Sequence, residues 1–145
     1  MLYLAENEGK GLAMVSSIAD AYNIPKHFLA KLVQTLTRGH LIKSYRGRNG
    51  GIKLARSAAK ITLLQVANAI EGPPSGEEIC VIGLDVCSEE VACPLHNQWQ
   101  HIHSLVQDTL NNQTLAELAE GMRQKRQELA QALRESEEKG RAAVP

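Results

Sequence analysis

Cys80, Cys87 and Cys93 are all the cysteines of this 145-residue chain, and they share one short stretch as C-x6-C-x5-C. Pro94-Leu95-His96 follows, which sets an imidazole three residues beyond the last thiol. An odd number of clustered cysteines does not make a disulfide framework in a reducing compartment. Thiolates on an irregular segment can instead converge on a metal, and three thiolates with one imidazole supply four soft or borderline ligands. That donor set suits zinc or an iron-sulfur cluster. Structural zinc sites favour paired C-x2-4-C knuckles. This segment has none, and its wider gaps suit ligands spread around a larger cluster, so iron-sulfur leads while zinc and plain redox thiols stay open. His96 competes for the fourth position with Asp85, Glu89 and Glu90, and a histidine opening a helix can also be only a cap or a surface group. His101 and His103 lie two residues apart on a helix, face different ways and are not recruited. A thiol-exchange enzyme is disfavoured because no C-x-x-C pair is present.

A sensor of this kind needs something to control, and the charge distribution points to it. The formal net charge is zero. Residues 1–63 nevertheless hold ten Lys/Arg against three acids, and residues 64–145 hold six against thirteen. A basic half joined to an acidic half is the footprint of a polyanion-binding unit coupled to a unit that binds something else. No run of 18 or more apolar residues and no secretory pattern occurs, so no membrane partner is expected and the cytoplasm is the expected location.

The elements that must position these groups read as mainly α with a small β-hairpin. The apolar start, Met1 to Glu6, reads as a short and marginal helix end. Ser16 or Ser17 is expected to cap the next helix. After the turn Asn23-Ile24-Pro25, Phe28, Leu29, Leu32, Val33 and Leu36 recur at spacings of three and four and predict a helix to Arg38 with one buried face. Gly39 is its expected left-handed stop. Two short strands flank Gly47-Arg48-Asn49-Gly50-Gly51, whose glycines permit positive φ. Thr62 caps a short helix that ends at Gly72-Pro73-Pro74, a natural boundary. A helix from Asn97 to Leu110 carries a stripe of Trp99, Ile102, Leu105, Val106 and Leu110, and Thr114 caps a final helix. The expected organisation is a winged helix-turn-helix over 1–72, a cysteine-bearing loop over 73–96, a dimerisation helix and C-terminal helix over 97–133, and a disordered tail over 134–145.

Two short helices joined by a tight turn, the second basic and polar on its outer side, match a major-groove reader. Lys26, His27, Ala30 and Lys31 form the outward set, with Phe28 able to meet a thymine methyl. Arg46 and Arg48 stand at a glycine-rich tip suited to a minor groove or its phosphates. The tip could also cradle a nucleotide phosphate, but it lacks a G-K-[ST] run and a strand leading into a helix.

Taken in order, these residues resemble the Rrf2 family of bacterial transcription regulators. The likeness rests on Ile18-Ala19-Asp20, Ile24-Pro25 with Phe28-Leu29 and Leu32, Gly39 with Leu41-Ile42, the wing from Arg46 to Gly51 with Leu54, Val66 to Gly72, the three cysteines, Trp99, and Thr114 to Leu118. The resemblance implies a winged helix-turn-helix homodimer, held by the long helix from Trp99, on a palindromic double-stranded operator. It places base-reading positions on Pro25, His27, Phe28 and Lys31 and wing positions on Arg46 and Arg48. It puts an iron-sulfur cluster (2Fe-2S or 4Fe-4S) on Cys80, Cys87, Cys93 and His96, and it implies a repressor that senses iron-sulfur status, redox state or nitric oxide. A cluster-free regulator using thiols or a small-molecule signal is the alternative. The start at Met1-Leu2-Tyr3 corresponds to the middle of the family's first helix, so the preceding part of that helix is expected to be absent. The six-residue gap between Cys80 and Cys87 also differs by a residue or so from several members.

Overall fold

The computed structural model describes residues 1–72, 80–84 and 87–142. The order is α1 (Leu2–Glu6), α2 (Val15–Ala21), α3 (Lys26–Arg38), β1 (Ile42–Tyr45), β2 (Gly51–Leu54), a 3-10 turn (Ala58–Lys60), α4 (Leu63–Glu71), α5 (His96–Asn112) and α6 (Leu115–Ala142). The mainly helical fold with a two-stranded antiparallel hairpin agrees with the sequence reading.

Helices α2 and α3 meet through a turn in which Asn23 takes φ +50 and Ile24 N–H donates to Ala19 O at 2.9 Å. An asparagine tolerates that left-handed conformation better than most side chains. Leu29, Val33 and Leu36 form the buried edge of α3 and meet Ile18 and Ala19 of α2 in the core. Leu32 is only half-buried, and Phe28 is 51 % exposed and falls outside the buried face predicted for it. Helix α2 begins one residue before the serines, with Met14 at the cap position and no side-chain cap bond. Neither Ser16 nor Ser17 therefore caps it, because both already lie within the helix.

The left-handed stop of α3 falls on His40, at φ +55, while Gly39 keeps φ −74. Gly39 is needed for closeness instead: a Cβ there would stand 2.9 Å from Ala69 Cβ on α4. In the hairpin, Ile42 pairs with Leu54, Lys43 with Lys53, Ser44 with Ile52 and Tyr45 with Gly51. Positive φ at its tip is confined to Gly47 (φ +106). Gly51 serves a close approach, since a Cβ would meet Ala13 O at 2.7 Å. That approach exists because Ala13 bridges Ile52, with bonds of 2.9 and 2.8 Å, and adds a third extended segment to the wing.

Ile61 is fully buried and Leu115 nearly so, and Leu115 N–H donates to Ile61 O at 2.9 Å. Thr62 and Thr114 bridge beside them, each capping the helix it precedes. Thr62 makes a full capping box with Gln65. Helix α1 is short, as read, and is held from outside: Leu4 enters the core, and Glu6 accepts from Arg126 of α6 at 2.8 Å. Helix α6 continues to Ala142, through residues 134–142 of the expected disordered tail. Helix formers (Arg, Glu, Lys, Ala) make up all of residues 134–142 but Ser136 and Gly140. No helix among the described residues is long and apolar enough to cross a membrane.

The carboxylate of Glu117 accepts from the Thr114 amide and from the Thr114 hydroxyl, both at 2.8 Å. Those bonds, the amide first, hold its pKa below the usual carboxylate value. A depressed folded-state pKa contributes stability above the unfolded value, about 4.3 for Glu, and that contribution is lost as pH falls through the folded value. Glu117→Gln is therefore expected to melt below wild type at neutral pH, with the gap closing as pH drops below about 4. Thermal melts followed by circular dichroism at both pH values check this; a gap that ignores pH removes the charge from the cap.

Candidate metal and nucleic-acid sites

The thiols converge. The Sγ atoms of Cys80, Cys87 and Cys93 all lie within 4.8 Å of one another, with Cys80 and Cys93 at 3.7 Å. Cys80 is buried, the other two are half-buried, and none is in a disulfide. A turn closed by Gly83 N–H on Cys80 O, and another by His96 N–H on Cys93 O, bend the backbone around the sulfurs. His96, at the start of α5, is 5 % exposed. Its Nδ1 is 3.2 Å from Cys87 Sγ, and its Nε2 is 2.9 Å from the side-chain amide of Gln100. The histidine is thus neither a surface group nor a side-chain cap, and it touches the sulfur triangle at the Cys87 corner. His96 nonetheless stands outside the set of ligand atoms that all lie within 4.8 Å of one another, as do the exposed Glu89 and Glu90, and Asp85 lies outside the described residues.

The electrostatics of the three thiols differ. The backbone amide of Leu84 holds the Cys80 thiol below its usual range against the cost of burial, helped by the Ile82 amide and by the thiols of Cys93 and Cys87. At Cys87 the Cys93 amide favours the thiolate, but burial and the sulfurs of Cys93 and Cys80 outweigh it and leave the pKa raised. Cys80 is thus the thiol whose surroundings favour the anion, and its charge opposes a second at Cys87. A cation entering the triangle removes that repulsion and draws off the remaining protons.

The second site is the outer face of α3 and the wing. Pro25, Lys26, His27, Phe28, Ala30 and Lys31 are all exposed along the first turns of α3, and Arg46 and Arg48 are exposed at the hairpin tip. Lys26 also meets Asp20 at 3.6 Å, a solvated pair of little energetic weight. Between α3 and β1 runs an open groove of about 430 Å³ lined by Val33, Gln34, Thr37, Arg38, Ser44 and Arg46. Arg38 and Ser44 were missed by the sequence reading. The helical period that joins Lys31 to Gln34 and Arg38 was visible, but Ser44 joins them only through the hairpin's position.

On α5, Ile102, Leu105 and Val106 are 49 to 59 % exposed, so the predicted apolar stripe stands open along this helix. Trp99 is half-buried and stacks on His103 with ring centroids 6.2 Å apart.

Residues 1–121 match the Rrf2 family, described as iron-dependent transcriptional regulators. The HTH-type transcriptional regulator CymR of Bacillus subtilis is 32 % identical over 119 residues, which is 82 % of this chain and 80 % of that protein. The solved structure of CymR, the global cysteine regulator of B. subtilis, superposes with a TM-score of 0.68 over 82 % of this chain and 86 % of its own at 31 % identity. T. potens IscR shares the fold, with a TM-score of 0.66 at 24 % identity, over 83 % of this chain and 78 % of its own. These matches cover the helix-turn-helix, the wing, the cysteine segment and the start of α6 together, and the chain belongs to the Rrf2 family of winged-helix, DNA-binding transcriptional regulators.

Proposed function

We propose that this chain is an iron-sulfur-dependent repressor that binds a palindromic operator as a homodimer, in the cytoplasm, and changes its DNA affinity with the state of a 2Fe-2S or 4Fe-4S cluster. The observation that carries the reading is the convergence of Cys80, Cys87 and Cys93 beside the buried His96. Three thiolates and an imidazole fit such a cluster in donor chemistry, and the hydrogen-bonding amides around Cys80 favour anionic sulfur. Cluster gain or loss need only bias operator binding modestly, because a tenfold change in affinity corresponds to about 1.4 kcal/mol.

One distance favours a second reading. The 3.7 Å between Cys80 and Cys93 sulfurs is close to the edge of a tetrahedron built on Zn–S bonds, roughly 3.8 Å for bonds of about 2.3 Å. That edge suits a single zinc ion, whereas a cluster of several irons requires the sulfurs to spread. Anaerobic purification separates the two. The cluster reading expects a coloured protein with iron and acid-labile sulfide in comparable amounts, lost in Cys87→Ser. A colourless protein with one zinc per chain would sink it, and a colourless, metal-free protein would leave the thiol-switch alternative.

Base reading is assigned to Pro25, Lys26, His27, Phe28 and Lys31 on α3, and groove clamping to Arg46 and Arg48. Arg46→Ala is expected to weaken operator binding by about tenfold and to lower the salt slope by about one. Fluorescence anisotropy across a salt series measures both; unchanged affinity with an unchanged slope removes Arg46 from the interface.

The dimer is assigned to α5. Its exposed stripe is the surface that burial against a second copy would stabilise, at about 25 cal/mol per Å² of apolar area. Leu105→Glu is expected to convert the dimer to monomer in sedimentation velocity while leaving the helical signal intact, and a persistent dimer places the interface elsewhere.

A further inference from the structure

We propose that the cleft between the loop Gly9 to Gly11 and the outer face of the wing binds a small organic anion, a phosphate or carboxylate carried on an apolar body. The cleft has a volume of about 510 Å³ and is lined by Lys10, Lys43, Lys53 and Arg56 together with Leu12 and Leu54. Small-molecule sites span roughly 300 to 1,000 Å³ and combine an apolar wall with a few convergent polar groups.

The cleft sets four cationic side chains against one carboxylate; Lys53 Nζ also lies 5.3 Å from the centre of the Tyr45 ring, and Lys10 Nζ donates to Asn7 Oδ1 at 3.2 Å. Lys43 and Lys53 stand directly opposite in the hairpin register. Like charges in that relation destabilise a sheet unless a counter-charge answers them. None of the ion pairs among the described residues involves either lysine. Glu8 is the one acid among the lining residues, and both its oxygens face the Ala58 amide at 3.2 to 3.3 Å. Arg56 is fixed by donating to Lys60 O, His40 O and Gln65 Oε1. Its charge is therefore anchored at the wall with no carboxylate on it. Gly9 and Gly11 take φ +84 and +94 on either side of Lys10, and their amides make none of the described hydrogen bonds.

The position argues for a free anion over an operator phosphate. Side chains alternate across a strand. Ile42 and Ile52 point into the core that includes α3, so Lys43 and Lys53 point away from it. The groove shared by α3 and Arg46 lies elsewhere. An anion in the cleft would join the loop leading into α2 to the wing, and so set how the two halves of the DNA-reading face stand to each other.

The test is an amide chemical-shift titration of the full chain with sodium phosphate and with phenyl phosphate, each against sodium chloride at matched ionic strength. Saturable shifts are expected at Gly9, Lys10, Gly11, Lys43 and Lys53, with phenyl phosphate tighter by at least about threefold because of its apolar body. The double variant Lys43→Gln/Lys53→Gln is expected to bind about tenfold more weakly, with the rest of its spectrum unchanged as the control for folding. Shifts matching those in chloride, an unchanged midpoint in the double variant, or no preference for phenyl phosphate would overturn the proposal. Adding a random-sequence duplex at low salt separates the two sources of phosphate. A response that persists on the DNA complex supports the effector site; displacement by DNA assigns the cleft to the DNA interface and overturns it.

Discussion

The structure depends on a short seam in which residues 61–63 pair with residues 113–115. Leu115 N–H donates to Ile61 O and Leu63 N–H to Gln113 O, each at 2.9 Å, and the paired threonines between them cap α4 and α6. Two helix starts thus satisfy each other's exposed backbone groups, which would otherwise need water or further side chains. Ile61 and Leu115 seal the seam from solvent. Because α6 begins there, it runs back to α1 and meets Glu6 through Arg126. Because α4 begins there, it is wedged between α3 and α5. Helix α3 and the helix that bears His96 are therefore packed on one common element. Gly39 makes that packing close, with no side chain between the end of α3 and Ala69.

The sulfur triangle and the Lys43–Lys53 pair each bring groups of like charge type together. Within this spacing the charge of Cys80 opposes ionisation of Cys87. Lys43 opposite Lys53 repels in the same way, with opposite sign. The two are far apart in sequence and served by different elements, yet each is a local concentration of one charge held by backbone geometry. In a chain of zero net charge, such concentrations are hidden in the total.

Much of the architecture was legible from spacing. The buried edge of α3, the capping role of Thr62 and Thr114, the hairpin and the stripe on α5 follow from periods and local hydrogen bonding, which neighbouring residues impose on each other. The errors share a cause. Gly39, Gly50 and Gly51 were read as permitting positive φ, whereas only Gly47 in the wing does so; Gly39 and Gly51 make room for Ala69 and Ala13, residues distant in sequence. Phe28 has the spacing of a core residue, but the core of α3 is narrow and leaves it outside. The serines in α2 have capping chemistry, but the helix starts earlier because Ala13 is held by the wing.

The cysteine segment shows the same division. Residue type and order determined that three thiols and an imidazole were available, that the segment had no regular period, and that a basic half stood ahead of an acidic one. Only the tertiary structure decided that the sulfurs meet, that backbone amides favour the anion at Cys80, that His96 is buried against Cys87 while Glu89 and Glu90 stay in solvent, and that Lys10, Lys43, Lys53 and Arg56 share one cleft. Ligand chemistry resides in single side chains and can be read one residue at a time. Proximity among segments tens of residues apart is settled by packing, which no local pattern contains.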